Sequence, residues 1–137
     1  MGPLDSLTTN SMRLMERSLD YLWTKQAAHL DNLANAETPG YKAKTVSFEE
    51  RFERKLRAAS RTAQARKNGG LTLADIRRTI EDVGWRVEED DEQTRMDENG
   101  VNLLEQMLEA TRTAYQIQYV MQAISSDFTT LNHAITG

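Results

Sequence analysis

Chemistry in this chain would have to come from a short list of side chains. His29 and His133 are its two histidines, and it contains no cysteine. Without a His-x3-His or a cysteine pair there is no transition-metal ligand set, and thiolate sites and disulfides are excluded. His29 falls among apolar residues at helical spacing, which marks it as a packing or rim residue of a helix. The turn Asp97-Glu98-Asn99-Gly100 offers carboxylates to calcium, but its glycine follows Asp97 too soon for an EF-hand loop. There is no glycine-rich phosphate loop, no Gly-x-Ser-x-Gly elbow and no nucleophile–base pair. Ser125-Ser126 sits inside an apolar run, where small side chains permit close helix approach. The expectation is therefore no enzyme, no metal and no cofactor.

The polar residues with a definite geometric task are those of the segment Asn32-Leu33-Ala34-Asn35-Ala36-Glu37-Thr38-Pro39-Gly40-Tyr41. Pro39 disfavours helical geometry at Thr38 and presets the first central position of a turn. Gly40 supplies the positive φ of the second, which predicts a type II turn over Thr38–Tyr41. Asn32 and Asn35 are poor in a helix interior but good partners for exposed carbonyls and amides near a helix end. Tyr41 brings a ring able to fold back onto the helix, and a hydroxyl to satisfy. The segment predicts a rigid corner that sets how the chain leaves a helix.

That helix is expected over residues 6–36. Met12, Met15, Leu19, Leu22, Gln26, His29 and Leu33 alternate at spacings of three and four, with Trp23, Leu30 and Ala34 broadening the stripe. Ser6 or the stretch at 8–11 would cap it. The strongest pattern lies at the other end, over 103–135. Leu103, Met107, Ala110, Ala114, Ile117, Met121, Ile124, Phe128, Leu131 and Ile135 follow a 4-3-4-3 spacing without a polar interruption, the seam of a left-handed supercoil. At ~1.5 Å per residue this helix is about 50 Å long. Asn102 with Glu105 forms a capping box at its start.

Burying a large aliphatic side chain contributes roughly 1.5–3 kcal/mol, so a ten-residue seam needs a partner. The N-terminal helix has the matching stripe, and the two are expected to pair as an antiparallel coiled coil, with the middle segment hanging off one pole. Leu104, Leu108, Tyr115, Tyr119 and Val120 widen the apolar surface of the C-terminal helix beyond what one partner covers. That surplus predicts further helices from other copies or other proteins. The alternative is an ordinary hairpin packed on its own middle segment.

The middle has a different texture. Residues 44–67 hold eight Lys or Arg against three Glu and are expected as one amphipathic helix, broken at Asn68-Gly69-Gly70. A second short helix follows, with Thr72 capping and Asp75 at its third position; Val83–Val87 is a candidate short strand. Residues 81–98 carry nine acidic residues against two Arg. Such segregation suits two solvated faces, a hairpin drawn together by opposite charge, or a contact surface for neighbouring subunits.

The totals agree with a thin helical body. The chain has 137 residues, 39% of them hydrophobic and 28% charged, with a formal charge of −4. That charge argues against a nucleic-acid binder. No apolar run approaches the ~18 residues of a membrane span, and the N-terminus lacks the apolar core of a cleaved secretory signal. The expected class is mainly α: long N- and C-terminal helices pairing as an antiparallel coiled coil around an irregular charged middle. Its divisions are residues 1–36, the corner with the charged middle at 37–101, and 102–137.

The corner also carries a resemblance. Asn32 to Ala43 resembles the signature N-[IL]-A-N-x-x-T-P-G-Y-[KR]-A of bacterial flagellar rod and hook proteins. The match covers residues 10–48 and 95–136. In the latter, Arg95–Val101, Gln116-Ile117-Gln118-Tyr119 and Ser126-Asp127-Phe128 resemble the family's C-terminal half, most of all that of the proximal rod subunits. One departure is that Asp97-Glu98-Asn99-Gly100 replaces the family's Asp-Gly-Asn turn. The resemblance implies an axial structural subunit, exported by the flagellar type III apparatus without a cleaved signal, whose terminal helices line a hollow tube in the basal body. It implies as partners other copies of the chain, other rod subunits, the rod–MS-ring junction protein and the export gate. It implies no nucleic acid, no small-molecule substrate and no membrane insertion. The residues it marks are Asn32, Leu33, Ala34, Asn35, Thr38, Pro39, Gly40 and Tyr41. A second class stays open on the residues alone, a soluble coiled-coil adaptor whose basic 51–67 segment contacts an acidic partner or nucleic acid.

Overall fold

The computed structural model describes residues 9–66, 69–89 and 102–137. Its elements, in chain order, are α1 (Asn10–Ala34), β1 (Lys44–Ser47), α2 (Glu49–Gln64), α3 (Leu73–Asp82), β2 (Arg86–Glu89) and α4 (Leu103–Thr136). The fold is mainly helical, and the long terminal helices form its principal contact.

Local chemistry sets the helix ends. Thr9 caps α1 by accepting from the Met12 amide at 3.1 Å, satisfying one of the donors that a helix start leaves unpaired. Thr72 and Asp75 form the complete capping box of α3. The Asn102 side chain accepts from the Glu105 amide at 3.2 Å to start α4. The other candidate cap, Ser6, lies outside the described residues, as do Lys67, Asn68 and the turn Asp97-Glu98-Asn99-Gly100.

Helices α1 and α4 run antiparallel. Gln106, near the start of α4, bonds to His29 and Asn32 near the end of α1, while Tyr21 and Leu22 meet Ile117 in the core. Apart from Glu109 and Ala123 beside them, the α4 residues withdrawn from solvent are Gln106, Ala110, Thr113, Ile117, Val120, Ile124, Asp127 and Leu131. This too is a 4-3-4-3 line, but it is turned around the helix from the expected seam and shares only alternate positions with it. The α1 face that meets it holds Tyr21, Leu22, Ala28, His29 and Asn32, all buried. Trp23, Leu30 and Ala34 do not widen that face and are exposed.

The middle segment departs from expectation in three ways. Residues 44–67 are not one helix: Lys44–Ser47 is a strand, and α2 starts after Phe48. β-branched Thr45 and Val46 favour the extended form, and β1 pairs antiparallel with β2 from Lys44↔Glu89 to Ser47↔Arg86. The short strand expected at Val83–Val87 is present but shifted, sharing Arg86 and Val87 with it. Val83 is the buried C-cap of α3, and β2 begins at Arg86. Nor does the middle hang off one pole. It folds back along α1, with the Asn10 amide donating to the Leu73 carbonyl and Arg17 to that of Glu81.

The reason is that the charged middle also supplies apolar side chains. Phe48 stacks on Tyr21 with ring centroids 5.1 Å apart and on Phe52 at 6.1 Å. Phe48 and Val83 join Tyr21, Leu22 and Ile117 in one cluster, with Leu14, Leu19, Val46, Phe52, Trp85 and Val120 packed around it. Ile80 is buried as well. Arg54, Arg57 and Arg61 of α2 are exposed while Arg51 and Lys55 reach the Gly84 and Asp82 carbonyls, so high charge does not prevent α2 from packing on α3.

Candidate assembly surface

Asn32 is the pivot of the corner. It is fully buried, and its side-chain oxygen accepts from the Lys44 amide at 2.8 Å and from the Tyr41 hydroxyl at 3.2 Å. Its amide nitrogen donates to the Lys44 carbonyl at 2.8 Å and to Gln106 Oε1 at 3.1 Å. One side chain thus meets both main-chain polar groups of Lys44, as a neighbouring strand would, and ties the start of β1 to both long helices.

Asn35 performs the C-terminal task. As C-cap of α1, its main-chain and side-chain nitrogens both donate to the Asp31 carbonyl, at 3.0 and 2.9 Å. Its Oδ1 accepts from the Thr38 hydroxyl at 3.3 Å. The turn then closes as expected: Gly40 has φ +73°, and the Tyr41 amide donates to the Thr38 carbonyl at 3.3 Å. Tyr41 folds back onto α1, and burial is the main cause that raises its hydroxyl pKa. Lys44 bonds Asp31 at 3.1 Å, and that bond raises the lysine pKa. Of the corner residues, Leu33 is half-buried, whereas Ala34, Thr38, Pro39 and Gly40 face solvent.

Above the corner, the α1–α4 contact has a polar layer. His29 Nδ1 donates to Gln106 Oε1 at 2.8 Å. His29 Nε2, Gln26 Oε1 and Thr113 Oγ1 are buried there without a hydrogen-bond partner among the described residues. The layer favours one register of α1 against α4.

The outer surface of α4 is the opposite case. Of the ten seam residues, Ala110 and Ile117 are buried and Ile124 and Leu131 half-buried. Leu103, Met107, Ala114, Met121, Phe128 and Ile135 are exposed, with Phe128 showing 58% of its surface. A second exposed row, Leu104, Leu108, Tyr115 and Tyr119, lies further round the helix, and Tyr119 is 75% exposed. Between that row and the rest of the fold runs an open groove of about 560 Å³, floored by Tyr21, Leu22, Phe48 and Val120 and edged by Tyr115 and Tyr119. Large contiguous apolar patches of this kind mark interaction surfaces.

The periodicity found the apolar character of α4, but not which side α1 would take. It also passed over Gln106, Thr113 and Lys44. The first two are polar residues in an otherwise apolar helix, a signal visible in hindsight; Lys44 meets Asn32 through its main chain, which no pattern of side chains reveals. Among the described residues, no group of three or more His, Asp or Glu side chains could hold a metal ion, and no helix is long and apolar enough to cross a membrane.

No protein-family model matches the chain. It is similar to the flagellar basal body rod protein FlgB of Bacillus subtilis (strain 168), with 24% identity over 132 residues that cover 96% of this chain and 98% of that protein. The similarity runs from one end to the other and includes both long helices and the corner between α1 and β1.

Proposed function

We propose that this chain is a structural subunit of the proximal rod of the bacterial flagellar basal body. After export through the flagellar type III apparatus, it polymerises through its terminal helices into the hollow axial shaft that motility requires. Residues 1–36 and 102–137 form the wall, while the corner and residues 37–101 carry the chain away from it. Its neighbours are other copies, other rod subunits and, at the base, the rod–MS-ring junction protein and the export gate. It performs no catalysis.

One observation carries this reading. A 34-residue helix presents apolar side chains around most of its circumference, and its own fold covers a single line of them. Exposing that much apolar surface is unfavourable at ~25 cal/mol per Å², so α4 is built for neighbours. The end-to-end similarity to a rod protein supports the kind of neighbour, and the corner signature Asn32–Tyr41 supports the same group.

Removing the last ten residues tests it. That deletion takes away Phe128, Leu131 and Ile135 and leaves the core around Tyr21, Phe48 and Ile117 intact. The truncated chain is expected to be exported but to build no rod, leaving cells without motility. A strain that swims normally with this deletion would contradict the proposal.

A further inference from the structure

Charge is distributed unevenly along α4. From Thr113 to Gly137 the chain carries one charged side chain, half-buried Asp127, where the 28% of the whole chain would give about seven. A helix face meant to stay in water ordinarily carries ions. This one instead carries amides and hydroxyls, among them Gln118, Gln122, Ser125 and Thr129, around exposed Met121 and Phe128. Met121, Ser125 and Phe128 follow one another at spacings of four and three, so they form one ridge, with a small side chain between two large ones. A neutral ridge can enter an apolar surface without stripping water from an ion.

The groove beside α4 offers such a surface. It holds about 560 Å³ over a floor of Tyr21, Leu22, Phe48 and Val120. The charged residues that line it, Glu49 and Arg112, are exposed, and Arg112 is already paired with Glu109 at 3.0 Å. Helix geometry fixes where ridge and groove lie. At about 3.6 residues per turn, Met121 and Phe128 fall on one flank of the Ala110–Thr113–Ile117 line that meets α1, and Arg112 and Gln116 fall on the other. Both flanks belong to one continuous helix, Leu103–Thr136. The ridge of a molecule therefore faces away from its own groove and cannot turn to fill it. What fills the groove comes from outside.

We propose that the groove of one copy receives the Met121–Ser125–Phe128 ridge of a second copy of this chain. A helix laid in a groove by large side chains one and two turns apart is a recurrent mode of recognition. Here the two large side chains enter among the rings of Phe48, Tyr115 and Tyr119, which suit both an aromatic and a thioether partner. Donor and acceptor occupy opposite flanks of α4, so each copy gives on one side and receives on the other. The contact then repeats from copy to copy instead of closing a dimer. It rests on the rod reading for the premise that copies stand side by side, and adds which surfaces meet. A second copy is favoured over a polyanion because the groove offers an anion one arginine, already paired, whereas the chain itself carries the matching neutral ridge.

The test is disulfide trapping in the purified full chain at high concentration. The natural chain has no cysteine, so each introduced thiol reports one position. Gln116 lines the groove and Ser125 stands on the ridge, and both are exposed in the single molecule. On mild oxidation, Gln116→Cys mixed with Ser125→Cys is expected to link into heterodimers, at about tenfold or more the yield of either variant alone. The double variant Q116C/S125C is expected to give a ladder of linked copies. Adding Met121→Asp and Phe128→Asp to it should reduce the ladder about tenfold or more, because a carboxylate would have to enter the groove. Added salt should not weaken the ladder, since no ion pair holds it. Circular dichroism checks that every variant folds. A double variant without a ladder would overturn the proposal, as would single variants that link to themselves as well as the mixture does. A ladder that survives the aspartates, or that salt disperses, would overturn it too. The motility of the C-terminal deletion judges the rod reading separately. Lost motility without a ladder removes only this pairing, whereas a ladder in a chain whose deletion strain swims removes the rod reading and leaves the pairing.

Discussion

Asn32→Ala is the sharpest probe of the corner. The asparagine side chain makes four hydrogen bonds, two of them with the main chain of Lys44, one from Tyr41 and one to Gln106. A net bond is worth about 0.5–1.5 kcal/mol, and a buried partner left unpaired costs more. Water can rescue the half-exposed Tyr41 hydroxyl and part of Lys44 but has poor access to the layer around Gln106. The expected loss is therefore about 2–4 kcal/mol, a large share of the 5–15 kcal/mol that holds an ordinary domain together. Urea unfolding followed by circular dichroism measures it. Tyr41→Phe removes one bond of the four and leaves Asn32 Oδ1 still paired with Lys44, so its cost is expected near 0.5–1.5 kcal/mol. The double variant should lose less than the sum of the two, because both delete the same 3.2 Å contact. Amide exchange localises the effect: Lys44 and its strand neighbours should exchange much faster in Asn32→Ala, while the middle of α4 changes little. A loss under about 1 kcal/mol, with Lys44 protection unchanged, would mean that the corner is held by packing and not by Asn32.

Three further outcomes follow from the same structure. Met121→Asp and Phe128→Asp place charge on side chains that face solvent in the single molecule, so thermal stability should shift by no more than about 0.5 kcal/mol while assembly is lost. Cross-linking and motility read the second effect, and a collapse of folding would show that these positions belong to the core. Gly40→Ala forces a side chain into φ +73° and should cost about 1–2 kcal/mol, measured by the same urea titration. Asp75 gives α3 an acid dependence. Bonds from the Thr72 main chain and hydroxyl, then Arg66, hold its carboxyl at about 2, below the ordinary 3.8. A depressed folded pKa adds stability above the unfolded value and withdraws it as pH falls through the folded one, so α3 should loosen between about pH 4 and pH 2. Asp75→Asn should flatten that dependence, as followed by amide exchange of residues 73–82.

Most of the helical framework was legible because its causes are local. A 3.6-residue apolar period and a cap three residues from its partner are both properties of a few neighbouring residues. So α4 begins at Leu103 behind Asn102, α3 carries the Thr72–Asp75 box, and the chain turns at Pro39-Gly40. The start of the middle segment was not legible. Lys44–Ser47 looks helical in a charged run, and becomes a strand because Asn32 and β2 supply partners for its main chain. Phe48, Ile80 and Val83 are scattered through charged sequence, and only their convergence on α1 makes them a core.

The sequence by itself determined that two long apolar helices flank a sharp corner, and that the second has more greasy surface than one partner can cover. The tertiary structure alone decided which stripe of α4 meets α1. An apolar helix with several usable faces has no preference of its own; the choice falls to distant groups such as Asn32 and Gln106, 74 residues apart, which bond in only one register. That choice leaves Met107, Met121, Phe128 and Ile135 outside the fold, exposed to solvent.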